Sequence, residues 1–190
     1  MRLDQFLVDR GLFASRARAR DAILRGTVKV DGTPAKKPGQ TVTPAAEVKV
    51  DDPASAYVSR AALKLLHGLD ALGFDPAGCH ALDIGASTGG FTQVLLERGA
   101  AHVTAIDVGT GQMDPRIASD ARVTSLEGVN ARHLTMEDLT GRVPAFLVSD
   151  VSFISLKLAL PPALALAARG TCGIFLVKPQ FEAGREAIGK

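Results

Sequence analysis

The stretch HALDIGASTGGFTQVLLERG, residues 80–99, decides the fold. A short apolar run reaches Asp83 and Ile84 and passes straight into three glycines, Gly85, Gly89 and Gly90, set around the small tripeptide Ala86-Ser87-Thr88. A helical pattern opens near Phe91. Glycine has no Cβ, so such a loop turns sharply and lets a ligand approach its backbone. Outward from it, apolar runs of strand length recur at HVTAID (102–107), VTSL (123–126), AFLVSD (145–150) and GIFLVK (173–178), with helical stretches between them. Their near-continuous apolar character predicts central parallel strands of a doubly wound α/β sheet.

The loop also speaks to its ligand. Dinucleotide loops read G-x-G-x-x-G and set a pyrophosphate on a helix N-terminus. This one reads D-x-G-x-x-x-G-G. Asp83, two residues before the first glycine, suits a positive amino-acid end and a sulfonium better than a pyrophosphate. Asp107, followed by Val108, ends the next strand, where a carboxylate accepts both hydroxyls of a ribose. The third strand ends Glu127-Gly128-Val129-Asn130, placing Glu127 and Asn130 to reach an adenine or line its pocket. Two carboxylates around a glycine turn predict a nucleoside ligand without phosphates, S-adenosylmethionine. The expected cofactor set is Asp83, Gly85, Ser87, Thr88, Gly89, Gly90, Phe91, Asp107, Val108, Glu127 and Asn130.

The fourth strand runs into SDVSFISL with Asp150 at its end, and the fifth into LVKPQFE with Lys178 at the equivalent point. Ligands of open α/β sheets bind at these carboxyl ends. The N/D-P-P-Y/F tetrapeptide of base-amino methylation is absent, and so is a catalytic cysteine of pyrimidine carbon-5 methylation. Cys79 and Cys172 lack zinc or disulfide spacing and read as core residues. His67, His80, His102 and His133 show no ligand spacing, so no metal is expected.

The charge is unevenly placed. Residues 1–50 carry ten Lys and Arg against five Asp and Glu, whereas residues 51–190 carry twelve against fifteen. A basic module on a mildly acidic body suggests a polyanion partner. Leu3, Phe6 and Leu7 recur at helical spacing and stop at Gly11; Ser15 caps a second helical pattern that ends at Gly26. Val28 and Val30 alternate with polar residues, Asp31-Gly32 makes a tight turn, and Val42, Val48 and Val50 continue in extended style. R-L-D at 2–4, Gly11, Ser15-Arg16, Ala19 to Ile23 and G-x-V-x-V-D-G at 26–32 resemble the S4 RNA-binding domain. That resemblance implies RNA contacts from the second helix and the hairpin, with Arg16, Arg20 and Lys29 foremost and Arg2, Arg18, Lys36 and Lys37 beside them. The polar stretch DDPASA, 51–56, reads as a linker or strand edge, giving an S4-like domain at 1–55 and a catalytic domain at 56–190. After it, Ser59 is expected to cap a helix with the apolar stripe Val58, Ala62, Leu65, Leu69 and Leu72, with Lys64 on its flank.

Lys64, Asp150 and Lys178 resemble three members of the K-D-K-E tetrad of FtsJ-like ribose 2′-O-methyltransferases. With the S4-like start, the whole chain resembles the TlyA (hemolysin A) family. The resemblance implies methyl transfer from S-adenosylmethionine to a cytidine 2′-hydroxyl, with ribosomal RNA or ribosomal subunits as partners. A ribose hydroxyl must lose its proton as the methyl arrives, so a positioned base helps. Lys178 is the expected base, with Lys64 beside it and Asp150 orienting the ammonium. The tetrad's Glu lies well beyond V-K-P-Q-F-E in that family, and Glu182 and Glu186 sit too close to Lys178 to be it. The expectation is therefore a Rossmann-like domain lacking its last strands.

Two rival classes compete with this reading. A noncatalytic RNA-binding or ribosome-assembly factor would use the S4-like module and keep the second domain as scaffold. A membrane-active hemolysin would need an amphipathic or transmembrane element, and the sequence offers no apolar run of about 18 residues. The expected address is cytoplasmic, with no membrane partner, because Asp4 and Asp9 interrupt the start where a signal peptide is apolar.

Overall fold

The computed structural model describes residues 1–183 and divides into two compact units, Met1–Ala56 and Tyr57–Lys190. The first unit opens with helices α1 (Leu3–Asp9) and α2 (Arg16–Leu24), followed by strands β1 (Val28–Val30), β2 (Thr33–Pro34) and β3 (Val48–Val50). The strands form an antiparallel sheet in the order β2-β1-β3. Ser15 Oγ accepts the N–H of Arg18 at 3.3 Å and so caps α2. Asp31 and Gly32 have φ of 48° and 77°, the left-handed pair that a two-residue hairpin turn needs. Leu3, Phe6 and Leu7 of α1 meet Ala19, Ala22 and Ile23 of α2 over Val28. Val42 joins that core from a loop rather than from a strand; pairing nearby is limited to one bridge, Arg2 with Thr41.

The stretch expected to be a linker belongs to this unit's packing. Asp52 is buried, and both its oxygens take hydrogen bonds from Arg25, at 2.8 and 2.7 Å. The Arg25 guanidinium, with a weaker pull from the Ala54 N–H, holds the Asp52 carboxyl below its usual range. A polar composition concealed a buried carboxylate held by a bidentate ion pair.

The second unit begins with α3 (Ala61–Leu72) and alternates β4 (His80–Ile84), α4 (Gly90–Glu97), β5 (His102–Asp107), α5 (Pro115–Ala118), β6 (Val123–Glu127), β7 (Phe146–Ser149), α6 (Leu156–Ala159), α7 (Pro161–Leu166), β8 (Cys172–Phe175) and α8 (Pro179–Glu182). All five strands are parallel in the order β6-β5-β4-β7-β8. Alternate residues of each strand feed alternate faces. Ala81, Phe146 and Val148 pack with Leu65 and Leu69 of α3 and with Val94 and Leu95 of α4. Leu82, Ile84 and Leu147 pack with Leu134, Leu139, Leu160 and Ala163 on the other side. The chain moves from β4 outward to β6 and then returns to β7, so the order reverses between β4 and β7. A crevice opens at such a reversal, outside the carboxyl ends of the strands.

Four local expectations are corrected. Helix α3 begins at Ala61, where Ser59 Oγ accepts the Ala61 N–H at 3.0 Å, so Val58 precedes the helix. Leu72 is 58% exposed, because the helix ends there at left-handed Gly73. Cys172 is exposed and Cys79 only half-buried, since Cys172 starts the edge strand β8 and Cys79 precedes β4. Strand β8 stops at Phe175, so Lys178 stands three residues past it, just ahead of α8. Glu186 lies outside the described residues.

Candidate active site

The glycine loop leaves β4 at Gly85, whose φ is 82°. A Cβ there would lie 2.8 Å from Val151 Cγ1, so only glycine lets the segment after β7 come this close. Ser87, itself at φ 48°, donates its N–H to Asp107 Oδ2 at 2.8 Å, and Gly109 donates its N–H to Asp107 Oδ1 at 2.7 Å. One carboxylate at the end of β5 thus holds the loop of β4 and its own loop together. At the far end of the glycine turn, a Cβ on Gly90 would meet Ser59 Oγ at 2.7 Å, so α4 starts hard against the residues that precede α3.

Between these loops lies a cavity of about 580 Å³. That volume falls in the range of small-molecule sites, roughly 300–1,000 Å³. Gly85, Ser87, Asp107, Val108, Asn130 and Asp150 line it. Its lining includes two carboxylates and, among the described residues, no lysine or arginine, which suits a cationic nucleoside and not a phosphate. Gln112 and Ala131 also line the wall, and no motif in the sequence marks these two as site residues.

The other expected cofactor residues stand behind this wall. Asp83 is buried; Oδ2 accepts the Thr92 hydroxyl at 2.7 Å, while Oδ1 has no partner among the described residues. Burial pushes its carboxyl up to about 7, and the nearby Asp107 and Asp150 add to the rise. Phe91 lies in the core with α3 and β4. Thr88 accepts the Asp114 N–H through its carbonyl, and Gly89 sits left-handed at the N-cap of α4. Glu127 accepts the N–H groups of Gly111, Gln112 and Met113 at 2.5, 3.0 and 3.4 Å, which hold its carboxyl below the usual range. It shapes the loop after β5 and does not line the cavity.

At Asp150, on the cavity wall, three charges meet from distant parts of the chain. Lys64 Nζ, from α3, donates to Asp150 Oδ2 at 3.1 Å. Lys178 Nζ lies 2.8 Å from Asp150 Oδ1 and sends its hydrogen bonds to the Asp150 carbonyl at 3.1 Å and to Ser152 Oγ at 2.7 Å. The Oδ1 contact is therefore an ion pair, without the alignment of a hydrogen bond. Lys64 keeps 52% of its side chain exposed, against 21% for Lys178 and 14% for Asp150. Lys178 owes this position to the extended segment after β8, which bends back towards the end of β7.

Phe153, three residues beyond Asp150, is 91% exposed and lines the same cavity. Its φ of 67° is left-handed, an outlier for a bulky side chain. Its ring lies 5.3 Å from that of Phe181 on α8. The next residue, Glu182, accepts the Ser155 hydroxyl at 2.6 Å and the Leu156 N–H at 2.7 Å. An aromatic in an otherwise apolar strand exit carries no signal in sequence that it points into water.

In the first unit, Arg2 and Arg16 both reach Asp4, each at 3.0 Å. Asp4 is buried, and the hydrogen bond from Arg2, followed by that from Arg16, holds its carboxyl well below the usual range. The two arginines still expose 58% and 54% of their side chains. Arg18 donates to the Ala54 carbonyl at 3.3 Å. Arg20, Lys29, Lys36 and Lys37 are exposed. Among the described residues, no group of three or more His, Cys, Asp or Glu is placed to hold a metal ion, and no helix is long and apolar enough to cross a membrane.

Comparison with known proteins matches the S4 domain to residues 1–48 and the FtsJ-like methyltransferase family to residues 57–190. The chain is 49% identical, over 99% of its length and 70% of the relative's, to the 16S/23S rRNA (cytidine-2'-O)-methyltransferase TlyA of Mycobacterium tuberculosis. It is 38% identical to Hemolysin A of Brachyspira hyodysenteriae, covering all of this chain and 79% of that one. Among solved structures, a Streptococcus thermophilus protein carrying the hemolysin name superposes with a TM-score of 0.74 at 41% identity, over 100% of this chain and 70% of that chain.

Proposed function

The chain belongs to the FtsJ-like methyltransferase family, in the S4-containing TlyA group, and from that premise we propose that it transfers a methyl group from S-adenosylmethionine to the ribose 2′-hydroxyl of cytidine in ribosomal RNA. The observation that carries this reading is the meeting of Lys64 and Lys178 on Asp150, a residue of the cavity wall. S-adenosylmethionine fits the donor set there. Asp107 would accept the ribose hydroxyls, Asn130 and Val108 would line the adenine side, and the glycine backbone at Gly85 with Ser87 would leave room for the amino-acid end. Asp83, buried behind the loop, adds negative potential towards a cationic ligand. The cofactor supplies an electrophilic methyl on a positively charged sulfur.

The protein's own groups handle the nucleophile. Asp150 lies at the cavity wall and orients the Lys178 ammonium nitrogen toward the incoming hydroxyl. Lys178 Nζ takes the hydroxyl proton as the oxygen attacks the methyl carbon; Lys64 holds the second oxygen of Asp150 and keeps the carboxylate from turning away. Phe153 offers an exposed ring beside these groups, on which a base drawn out of the RNA stacks. The basic residues of the first unit, Arg20, Lys29, Lys36 and Lys37 with Arg2, Arg16 and Arg18, contact RNA phosphates.

The test is transfer of labelled methyl from S-adenosylmethionine to ribosomal subunits from cells that lack this activity, followed by nucleoside analysis. The expected product is 2′-O-methylcytidine, lost with Lys178→Ala. Label on a base nitrogen, or none with folded protein and subunits from both sizes of particle, would overturn the reading.

A further inference from the structure

Phe153 holds an unfavourable backbone conformation in full exposure, and such a conformation persists only where its surroundings over-determine it. One segment, 178–182, supplies contacts on both sides of Phe153. Upstream of Phe153, Lys178 Nζ ties down the Asp150 carbonyl and Ser152 Oγ. Beside it stands the ring of Phe181. Downstream, Glu182 accepts the Ser155 hydroxyl at 2.6 Å and the Leu156 N–H at 2.7 Å, closing the first turn of α6. Lys178 also pairs with Asp150, so its grip on the loop is shared with the proton chemistry. Glu182, by contrast, commits one carboxylate oxygen to Ser155 at the end of this loop and the other to Leu156, the first residue of α6.

We infer that Glu182 is a positioning residue for methyl transfer: by gripping Ser155 and Leu156 it keeps the 150–155 loop, and with it Phe153, presented to the substrate base. It does not touch the substrate or the cofactor, and it acts through Phe153. The inference rests on the proposed stacking of a base on Phe153. The hydrogen bonds from Ser155 and, next, Leu156 hold the Glu182 carboxyl below its usual range, so the grip is in place at neutral pH.

Two measurements on the full chain test it. The sequence contains no tryptophan, so Phe153→Trp places a single fluorophore on the loop. Adding Glu182→Gln to that variant should lower its fluorescence anisotropy and raise acrylamide quenching about twofold while the melting temperature stays put. Ser155→Ala, which removes the donor and also the Oγ that caps α6 at the Lys157 N–H, should lower anisotropy and raise quenching at least as much, with some loss of melting temperature. Unchanged anisotropy and quenching in both would overturn the inference. The second measurement is a double-mutant cycle on methyl transfer to ribosomal subunits. Glu182→Gln should lower kcat/KM for RNA about tenfold, leave S-adenosylmethionine affinity within about twofold, and add nothing to Phe153→Ala. Additive losses would overturn the positioning role and leave the stacking reading standing; no loss from Phe153→Ala alone would overturn the stacking reading, and the positioning role with it.

Discussion

Ser87 and Asp107 join two loops through one hydrogen bond of 2.8 Å between a left-handed backbone N–H and a carboxylate oxygen. The same carboxylate takes the Gly109 N–H on its other oxygen. Asp107 is thus already oriented when a ribose arrives, with a lone pair of each oxygen still able to accept a hydroxyl.

Asp107→Ala should therefore weaken S-adenosylmethionine binding at least tenfold, since hydrogen bonds to a charged group contribute about 1.5–3 kcal/mol each. Calorimetric titration measures it. Unchanged affinity would remove Asp107 from the cofactor site.

Lys178→Ala should cut the rate of methyl transfer by about 10²-fold or more, the scale of general base catalysis, with cofactor affinity within about twofold. Lys178→Arg should not restore it, because a guanidinium stays protonated. Single-turnover transfer with labelled cofactor reads both. A variant that keeps full rate would assign the proton transfer elsewhere.

Asp83 sets a pH signature on stability. Its carboxyl is pushed from 3.8 up to about 7 in the fold, so the native state binds a proton that the unfolded chain has released. The stabilisation is fully present below about pH 4 and is lost as pH rises through about 7. Asp83→Asn keeps an acceptor for the Thr92 hydroxyl without the charge. Its melting temperature relative to the parent should rise between about pH 5 and pH 8, and a difference that is flat in pH would contradict this account.

Arg25 and Asp52 form a bidentate pair in the first unit; Asp52 is buried, with 3% of its side chain exposed, while Arg25 keeps 28% of its own in water. Removing Arg25 takes both hydrogen bonds from the buried Asp52 carboxylate, so Arg25→Ala should cost roughly 1.5–3 kcal/mol. Denaturant unfolding of the chain, followed by a probe in the first unit, measures the loss. A cost below about 1 kcal/mol would mean that water reaches Asp52.

RNA binding should weaken steeply with salt. Alanine at Arg20, Lys29, Lys36 or Lys37 should each lower the slope of log K against log salt by about 0.7–0.9 for every phosphate that the side chain neutralises. A slope unchanged by all four would place the RNA elsewhere.

Much of this was legible because it is local. The run from His80 to Gly99 carries strand, glycine turn and helix in order, and the structure has β4, Gly85 at φ 82° and α4 there. Ser15 and Asp31-Gly32 declare a cap and a turn through backbone chemistry that needs no neighbour. Less legible was the direction of side chains at the strand ends. Glu127 and Asp107 both end strands and both look fit to hold a ligand, yet only Asp107 lines the cavity. Which carboxylate faces a ligand and which folds back depends on the amides that the next loop brings within reach, and Gly111, Gln112 and Met113 claim Glu127. Asp52 illustrates the same limit: in DDPASA it reads as solvated, and its partner lies 27 residues upstream.

By itself, the sequence determined the two-unit order, the parallel sheet and the character of the glycine turn. Each follows from periodicity, glycine backbone freedom and capping, which act within a few residues. The tertiary structure alone decided that Lys64 and Lys178 share the two oxygens of Asp150, that Lys178 reaches it from beyond the end of β8, and that Glu182 closes on the loop carrying an exposed Phe153. Those contacts join residues 26 to 86 positions apart. No local pattern encodes them, because they exist only where the parallel sheet sets the ends of β4, β7 and β8 side by side.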